Sequence, residues 1–160
     1  MERLRHMTKT EKSFFKAAKA MSELSDHPKY KVGCVVVIGH RIMSSGRNSN
    51  TRCHAVQAKL DKEMFGCECP GKVHSEVDAL LPLIKSRVDL SKAYIYVYRE
   101  HKNNTLACAR PCSRCMKLIK QCGVKRIYYT SDDGYIREDL KNVVICFNLL
   151  CFIYNSTTKI

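Results

Sequence analysis

The spacing of hydrophobic and polar residues changes along the chain, and each change predicts a new element of secondary structure. Apolar residues at helical spacing predict a helix over residues 9–24, which Pro28 follows. A run of β-branched apolar residues predicts a strand over 32–38, and a turn at 39–40 leads into a partner strand over 41–46. We therefore expect a helix and then a β-hairpin in this part of the chain.

Helical and extended patterns alternate in the rest of the chain. The predicted elements are a helix over 73–85, a strand over 93–98, a helix over 113–122, a strand over 124–130, a short helix over 134–140 and a last strand over 143–147. Pro82 is expected to kink or shorten the first of these helices. Strands that alternate with helices form βαβ units, so we expect an α/β fold in which helices cover both faces of a mixed sheet, a three-layer α/β/α sandwich.

Residues 47–72 are polar and carry no clear hydrophobic period, so a long loop is predicted there. Loops of this length inside a compact domain usually have a function. Four potential metal ligands lie in this one: Cys53, His54, Cys67 and Cys69.

The size and composition of the chain narrow the class of protein. Its 160 residues correspond to one ordinary domain, predicted over 1–160, and a hydrophobic content of 45% is enough for a core. A net charge of +13 favours polyanionic partners or substrates, although the basic residues are spread along the chain. The apolar run over 143–154 is shorter than the about 20 residues that span a bilayer, so no membrane partner is expected.

The ten cysteines are typical either of a secreted disulfide framework or of an intracellular metal protein. Residues 1–19 are charged throughout and contain no apolar signal core, which favours the intracellular alternative. We therefore expect reduced thiols, some of them metal ligands, and a cytoplasmic location (the host cytoplasm for a viral protein).

Two short motifs carry the candidate chemistry, H-S-E at residues 74–76 and P-C-S-R-C at residues 111–115. Each opens a predicted helix, and Cys112 and Cys115, three residues apart, project from one face of theirs. A helix N-terminus also favours thiolate over thiol. Together with His74 these cysteines offer three ligands to one zinc ion and leave the fourth position to water, as catalytic zinc sites require.

Glu76 follows the histidine by two residues and is the candidate general acid–base. Its position off the metal lets it take a proton from the attacking water and pass it to the substrate. An isolated C-x-x-C is also found in structural zinc ribbons and in redox pairs. A closed structural site would need a fourth ligand, and it would have no use for Glu76.

At these motifs the chain resembles the cytidine and deoxycytidylate deaminase superfamily, over about residues 13–147. The combination of H-x-E with P-C-x-x-C is the signature of zinc-dependent nucleobase deaminases. Residues 32–37 and 46–48 continue the resemblance, and 110–117, 123–126 and 128–130 are similar to small deaminases of phages and viruses. The resemblance implies a cytidine deaminase-like fold with a five-stranded mixed sheet.

The histidine ligand, in place of a third cysteine, resembles the deoxycytidylate, tRNA-adenosine and polynucleotide cytidine deaminase branches. The short helix predicted over 134–140 agrees with this, since it would make the last two strands of the sheet parallel. Relatives assemble into multimers, so the resemblance also implies a homo-oligomer.

The resemblance implies a catalytic Zn²⁺ and hydrolytic deamination of a cytosine-bearing nucleotide, with deoxycytidylate as the favoured substrate. One alternative is a deaminase of cytosine, or less readily adenine, in single-stranded DNA or RNA. The net charge of +13 favours that alternative, whereas the small size and the cysteine-bearing loop favour the nucleotide. A second alternative is a zinc-dependent nucleic-acid-binding module without catalysis, against which Glu76 argues.

The resemblance also assigns substrate contacts. Asn48 is expected at the sugar, and the backbone N–H groups at Ser75, where relatives usually carry alanine, at the base carbonyl. Arg110 is expected either to fork onto a substrate phosphate or to cap its own loop at the surface. Tyr128 or Tyr129 is expected to stack on the base.

The loop over 47–72 resembles an insertion in some deoxycytidylate deaminases that holds a second, structural zinc. Its candidate ligands here are Cys53, His54, Cys67 and Cys69. The alternative is that these cysteines are free buried thiols, because the C-x-C spacing is tighter than that of most structural zinc sites.

Overall fold

A computed structural model describes residues 1–4, 6–66 and 71–140. In this part of the chain the elements are β1 (Glu2–Arg3), α1 (Lys9–Glu23), β2 (Val32–Ile38), β3 (Arg41–Arg47), α2 (Ala55–Phe65), α3 (Ser75–Lys85), β4 (Ala93–Arg99), α4 (Ser113–Gln121), β5 (Arg126–Ser131) and β6 (Gly134–Asp139). The hydrophobic pattern predicts most of these elements at the observed positions: α1, the hairpin of β2 and β3, the helices α3 and α4, and the strands β4 and β5. None of the helices in the described ranges is long and apolar enough to span a bilayer.

The helix α1 begins at a capping box and packs its apolar side on the sheet. Thr8 and Glu11 each accept a hydrogen bond from the other's backbone N–H, which satisfies donors that the first turn leaves open. Phe14, Phe15 and Ala18 are buried on the side of the helix that packs on the sheet. Their burial explains why the helical pattern is strong in this segment.

The sheet is mixed, as predicted, but it has six strands in the described part of the chain where five were expected. The strand order is β1-β6-β5-β4-β2-β3. Among these strands β4 and β5 form the parallel pair, which α4 connects as a crossover helix. The other neighbours are antiparallel. Two of the six strands were not predicted as strands: β1, a two-residue edge, and β6, with which β1 pairs.

Helices cover both faces of the sheet. Val35, Val37 and Tyr96 pack with α1 on one face, while the neighbouring Val36 and Ile95 pack with α3 and α4 on the other. Two glycines let the helices approach the strands closely. A Cβ at Gly33 would clash with the backbone of α1, and a Cβ at Gly46 would clash with the backbone of α3. The three-layer arrangement therefore rests on the alternation of the strand side chains.

The short helix predicted over 134–140 is wrong. The segment 134–140 is the strand β6, which forms an antiparallel hairpin with β5, and not a short helix. Its turn signal is Asp132-Asp133-Gly134, in which the glycine adopts a φ of 126°. The predicted parallel pairing of the strands 124–130 and 143–147 depended on that helix, and the second of these strands lies outside the described residues. The last predicted strand, 143–147, and the apolar run over 143–154 lie outside the described residues.

The long loop predicted over 47–72 contains the helix α2, at residues 55–65. The buried side of this helix includes the polar residues Gln57 and Asp61. They lie beside the apolar residues Val56 and Leu60 and interrupt the apolar period that would predict a helix. The helix α3 runs through Pro82 to Lys85, so the proline does not shorten it.

Candidate active site

Two helix starts meet above the sheet and bring the predicted metal ligands together. His74 is the N-cap of α3, and Cys112 is the N-cap of α4, with Cys115 in the first turn. Within the described residues, neither N-cap side chain caps its own helix. The imidazole and the thiol are therefore available to the site, while the positive ends of two helix dipoles point towards it.

The donor atoms of these three residues fit a zinc ion. His74 Nδ1 lies 3.5 Å from Cys112 Sγ and 3.4 Å from Cys115 Sγ, and all three donor atoms lie within 4.8 Å of one another. A sulfur and an imidazole nitrogen bound to tetrahedral zinc are separated by about 3.6 Å. Among the described residues this is the one group of three such ligands that could hold a metal.

A hydrogen bond between the two thiols moves their pKa values in opposite directions. A hydrogen bond from Cys115, against the effect of burial, and a further one with His74 lower the pKa of Cys112 to about 3. The same hydrogen bond with Cys112, together with burial, raises the pKa of Cys115 well above that of an ordinary thiol. Binding of a divalent metal to both sulfurs therefore requires Cys115 to lose its proton.

Glu76 is buried beside the ligands, with 5% of its surface exposed. Burial raises the pKa of its carboxyl group above the ordinary value, although the neighbouring His74 acts in the opposite direction. Ser75 Oγ donates a 2.8 Å hydrogen bond to Glu76 Oε2 and so fixes the orientation of the carboxyl group. A buried carboxyl with a raised pKa suits a group that must both take up and release a proton near neutral pH.

His74, Cys112 and Glu76 line a cavity of about 410 Å³, and Cys115 is buried behind them. This volume is within the range of pockets that bind small ligands. The rim of the cavity is cationic and contains one large aromatic ring; it includes His27, Tyr30, Asn48, Lys72, Arg99 and Arg110. The predicted contacts Asn48, Ser75 and Arg110 thus lie at the same cavity as the metal ligands.

Asn48 uses its side chain to hold the wall of the cavity. Its Oδ1 accepts hydrogen bonds from Val32 N at 2.8 Å and from Ser25 Oγ at 2.7 Å. Its Nδ2 donates to the backbone carbonyl of Tyr30 at 2.6 Å. Asn48 therefore fixes the segment that carries Tyr30 against the end of β3.

Arg110 lines the cavity with its charge already paired. Its guanidinium forks onto Glu138, with Nε at 2.8 Å from Oε2 and Nη2 at 2.7 Å from Oε1. The ion pair holds the pKa of the Glu138 carboxyl below its ordinary value. An incoming phosphate would have to share Arg110 with this carboxylate.

The two tyrosines of β5 do not lie where base stacking was predicted. Tyr128 stacks on Tyr96 beneath α1, with ring centroids 4.4 Å apart. Tyr129 is buried in the opposite core, and its hydroxyl donates to Glu138 Oε2 at 3.1 Å. Among the described residues that line the cavity, neither ring is found. The alternation of the strand explains this, since it directs both rings into the packed layers.

Sequence reasoning missed the aromatic ring that does line the cavity. Tyr30 is 44% exposed, and the Arg99 guanidinium lies 4.7 Å from its ring centroid. An exposed tyrosine between Lys29 and Lys31, directly after Pro28, is the signal that could have indicated it. Gln57 and Asp61 on α2, which lie behind the ligands, were also missed.

The proposed second zinc site is described only in part. Cys53 is exposed, and His54 is the N-cap of α2, where its Nδ1 accepts a 3.1 Å hydrogen bond from Val56 N. Cys67 and Cys69 lie outside the described residues. The second zinc therefore stays a prediction.

A mixed α/β sheet that brings an imidazole, two thiols and a buried carboxyl to one cavity has the arrangement of a catalytic zinc site. The chain belongs to the cytidine and deoxycytidylate deaminase family, since the model of that family's zinc-binding region matches residues 7–131. The resemblance noted at the two motifs is thereby confirmed.

Individual relatives agree with this family. The chain is 30% identical over 131 residues to the deoxycytidylate deaminase of Mycobacterium phage D29, an alignment that covers 74% of this chain and 92% of the phage protein. It is 30% identical over 105 residues to ComE operon protein 2 of Bacillus subtilis, with 66% and 50% covered. The deoxycytidylate deaminase of Schizosaccharomyces pombe is 29% identical over 72% of this chain, which spans 35% of the yeast protein. The chain thus spans half or less of these last two relatives.

Solved structures confirm the fold. The apo dCMP deaminase from the cyanophage S-TIM5 superimposes with a TM-score of 0.56 at 25% identity, over 78% of this chain and 84% of that one. The same enzyme in complex with dCMP and dUMP gives a TM-score of 0.55 at 26% identity, over 78% and 83%. Cytidine deaminase from Burkholderia pseudomallei shares the fold, with a TM-score of 0.58 at 19% identity over 83% and 93%.

Proposed function

We propose that this chain catalyses the hydrolytic deamination of a cytosine-bearing nucleotide, with deoxycytidylate converted to deoxyuridylate as the favoured reaction. The observation that carries the proposal is the buried carboxyl of Glu76, which shares a cavity with His74 and Cys112, beside the group of His74, Cys112 and Cys115 that could hold a metal. Zinc, when bound by these three residues, supplies a Lewis acid that makes water a nucleophile near neutral pH.

Glu76 performs the proton transfers of this reaction. It takes a proton from the water that attacks C4 of the cytosine ring and delivers it to the ring nitrogen. Glu76 then takes the second proton of that water from the new hydroxyl at C4 and passes it to the exocyclic nitrogen, which leaves as ammonia as its bond to C4 breaks and the C4 carbonyl forms. Ser75 keeps the carboxyl group oriented through its 2.8 Å hydrogen bond. Its backbone N–H is the proposed donor to the base carbonyl.

The rest of the cavity suits a base with a phosphate. Tyr30 offers an exposed ring on which a base can stack, in place of the tyrosines of β5. Lys72, Arg99 and Arg110 supply cationic groups at the rim for the phosphate. The phage D29 relative is named a deoxycytidylate deaminase, and the S-TIM5 enzyme has been crystallised with dCMP and dUMP. Both support a monophosphate as the substrate.

The proposal is tested by offering the purified protein deoxycytidylate, deoxycytidine, single-stranded DNA and tRNA in parallel and measuring the deaminated base. We expect deoxycytidylate to be the best substrate, since it alone combines a free cytosine base with one phosphate. Failure to deaminate any cytosine compound while zinc is bound would overturn the proposal.

A second candidate, deamination of single-stranded nucleic acid, is favoured by one observation. Tyr30 and Arg99 also line an adjoining surface groove together with Lys29, His101 and Lys102. A strand that left the cavity along this groove would meet several cations. Its affinity would fall with salt at a log–log slope of about −0.7 per phosphate contacted, whereas a mononucleotide would show a mild dependence. A steep slope with efficient turnover of DNA, and none of deoxycytidylate, would favour this candidate.

A further inference from the structure

The helix α2 carries two buried polar side chains one helical turn apart. Gln57 is fully buried, and Asp61 is 4% exposed. A buried carboxylate is costly unless it is paired and hydrogen-bonded. Both residues lie on the side of α2 that packs behind the metal ligands, and their bonds show what they do there.

A chain of hydrogen bonds leads from Gln57 to both halves of the metal site. Gln57 Oε1 accepts a 3.3 Å hydrogen bond from the backbone N–H of His74, and Gln57 Nε2 donates to Asp61 Oδ1 at 3.1 Å. The same Asp61 oxygen accepts a 2.6 Å hydrogen bond from Arg114 Nη1. The chain therefore begins at one metal ligand and ends in the first turn of α4.

Arg114 occupies the position between the other two ligands, Cys112 and Cys115. A bond that fixes Arg114 fixes the turn from which both sulfurs project. Because Gln57 also holds the backbone of His74, the chain joins the start of α3 to the start of α4. The bonds through α2 thus link the backbone that carries the imidazole to the turn that carries the two sulfurs.

A neighbouring ion pair shows that this is more than a tie between two helices. Lys117 and Glu63 also connect α4 with α2, at 2.9 Å. Both side chains of that pair are about one-third exposed, and the described hydrogen bond of the pair joins these two residues to each other and not to a ligand. The two bridges share their helices and differ in burial and in their connection to the site.

We infer that Gln57 and Asp61 are positioning residues that, through His74 and Arg114, hold the three ligands at zinc-binding distances before the metal arrives. The inference rests on the proposed function only in that it takes His74, Cys112 and Cys115 as the zinc ligands. Partners of this kind behind metal ligands commonly contribute to metal affinity.

The test compares Asp61→Asn with Glu63→Gln, which makes the same change in the neighbouring bridge. Zinc affinity is measured by competition with a chromophoric chelator, and the absorption spectrum of the cobalt-substituted protein reports the ligand geometry. We expect Asp61→Asn to lose about 10- to 100-fold in zinc affinity and to alter the cobalt spectrum. For Glu63→Gln we expect a change below about fivefold, since exposed ion pairs contribute little, and an unaltered cobalt spectrum.

Gln57→Met keeps the test decisive if Asp61→Asn fails to fold. It keeps the length of the side chain and removes the hydrogen bond to His74, so affinity should fall in the same direction. Wild-type zinc affinity and wild-type cobalt spectra in every folded variant of Gln57 and Asp61 would overturn the inference. If the wild type bound no zinc, the proposed function would fail with it. If the wild type bound zinc without deaminating, only the proposed function would fail.

Discussion

The two halves of the cavity differ in how they are built. The metal half consists of His74, Cys112 and Cys115 at two helix starts, backed by hydrogen bonds within the protein. The substrate half consists of side chains such as Tyr30 and Arg110, which are about half exposed and belong to separate loops. The metal half is fixed before any ligand binds, whereas the substrate half keeps surface that a nucleotide can cover. Substitutions in the metal half should therefore have the larger effects.

Removal of a ligand should have the largest effect. Cys112→Ala or Cys115→Ala leaves two protein ligands, so we expect the catalytic zinc to be lost and deamination to fall to background. Metal analysis of protein purified without chelator, together with a deaminase assay, measures both. Cys122→Ala is the matched control, because this cysteine lies at the end of the same helix and away from the ligands. Full zinc and full activity in both ligand variants would show that the assignment is wrong.

Glu76→Gln should separate chemistry from metal binding within the metal half. The substitution keeps the shape of the side chain and removes its ability to carry a proton. We expect zinc to stay bound while kcat falls by about 10²- to 10⁴-fold, the usual contribution of general acid–base catalysis. Asp78→Asn, the same kind of change two residues further along α3, should leave kcat nearly unchanged, since this carboxylate pairs with Arg52. Turnover by Glu76→Gln at the rate of this control would contradict the role.

The same contrast explains what the sequence could predict. The metal half was found because each motif is local. The functional residues of each motif lie two or three residues apart at a helix start, so their relative positions are the same in any fold that forms those helices. The helix α1 and the strand β2 were found because their apolar patterns are clear, and β3 because a turn at residues 39–40 follows β2 directly. In these regions the chemistry and the pattern are both contained in a few consecutive residues.

The substrate half depends on contacts between distant segments, which no local pattern records. Tyr30 reaches the cavity because Asn48, 18 residues later, binds its backbone carbonyl. The sequence predicts that Tyr128 or Tyr129 stacks on the base, but no local pattern shows which core each ring enters. The helix α2 was missed for a related reason, since Gln57 and Asp61 face inward and serve the ligands at the expense of the apolar pattern.

Tyr30 tests whether the substrate half binds the base. We expect Tyr30→Ala to raise KM for deoxycytidylate by about 5- to 150-fold, as stacking of a base on an aromatic ring contributes about 1–3 kcal/mol. Tyr30→Phe keeps the ring and should behave like the wild type. A change in kcat with no change in KM would show that Tyr30 acts in the chemical step and not in binding the base, which would contradict the division of the cavity into two halves. Steady-state kinetics on both variants decide between these outcomes.

Arg110 should have the smallest effect, because Glu138 already occupies its guanidinium and nearly half of its side chain is exposed to solvent. A charged hydrogen bond to a phosphate contributes about 1.5 kcal/mol at the low end of its range, so Arg110→Ala should reduce the preference for deoxycytidylate over deoxycytidine by about tenfold. The preference is measured as the ratio of the two kcat/KM values, which cancels any general loss of activity.

Glu138→Gln should change this preference in the opposite direction. It removes the competing negative charge while its side-chain oxygen can still accept the hydrogen bond of Tyr129, so the preference should rise. If both variants keep the wild-type ratio, Arg110 only closes its loop onto β6, and the phosphate must be bound elsewhere on the rim, where Lys72 and Arg99 are the remaining cations.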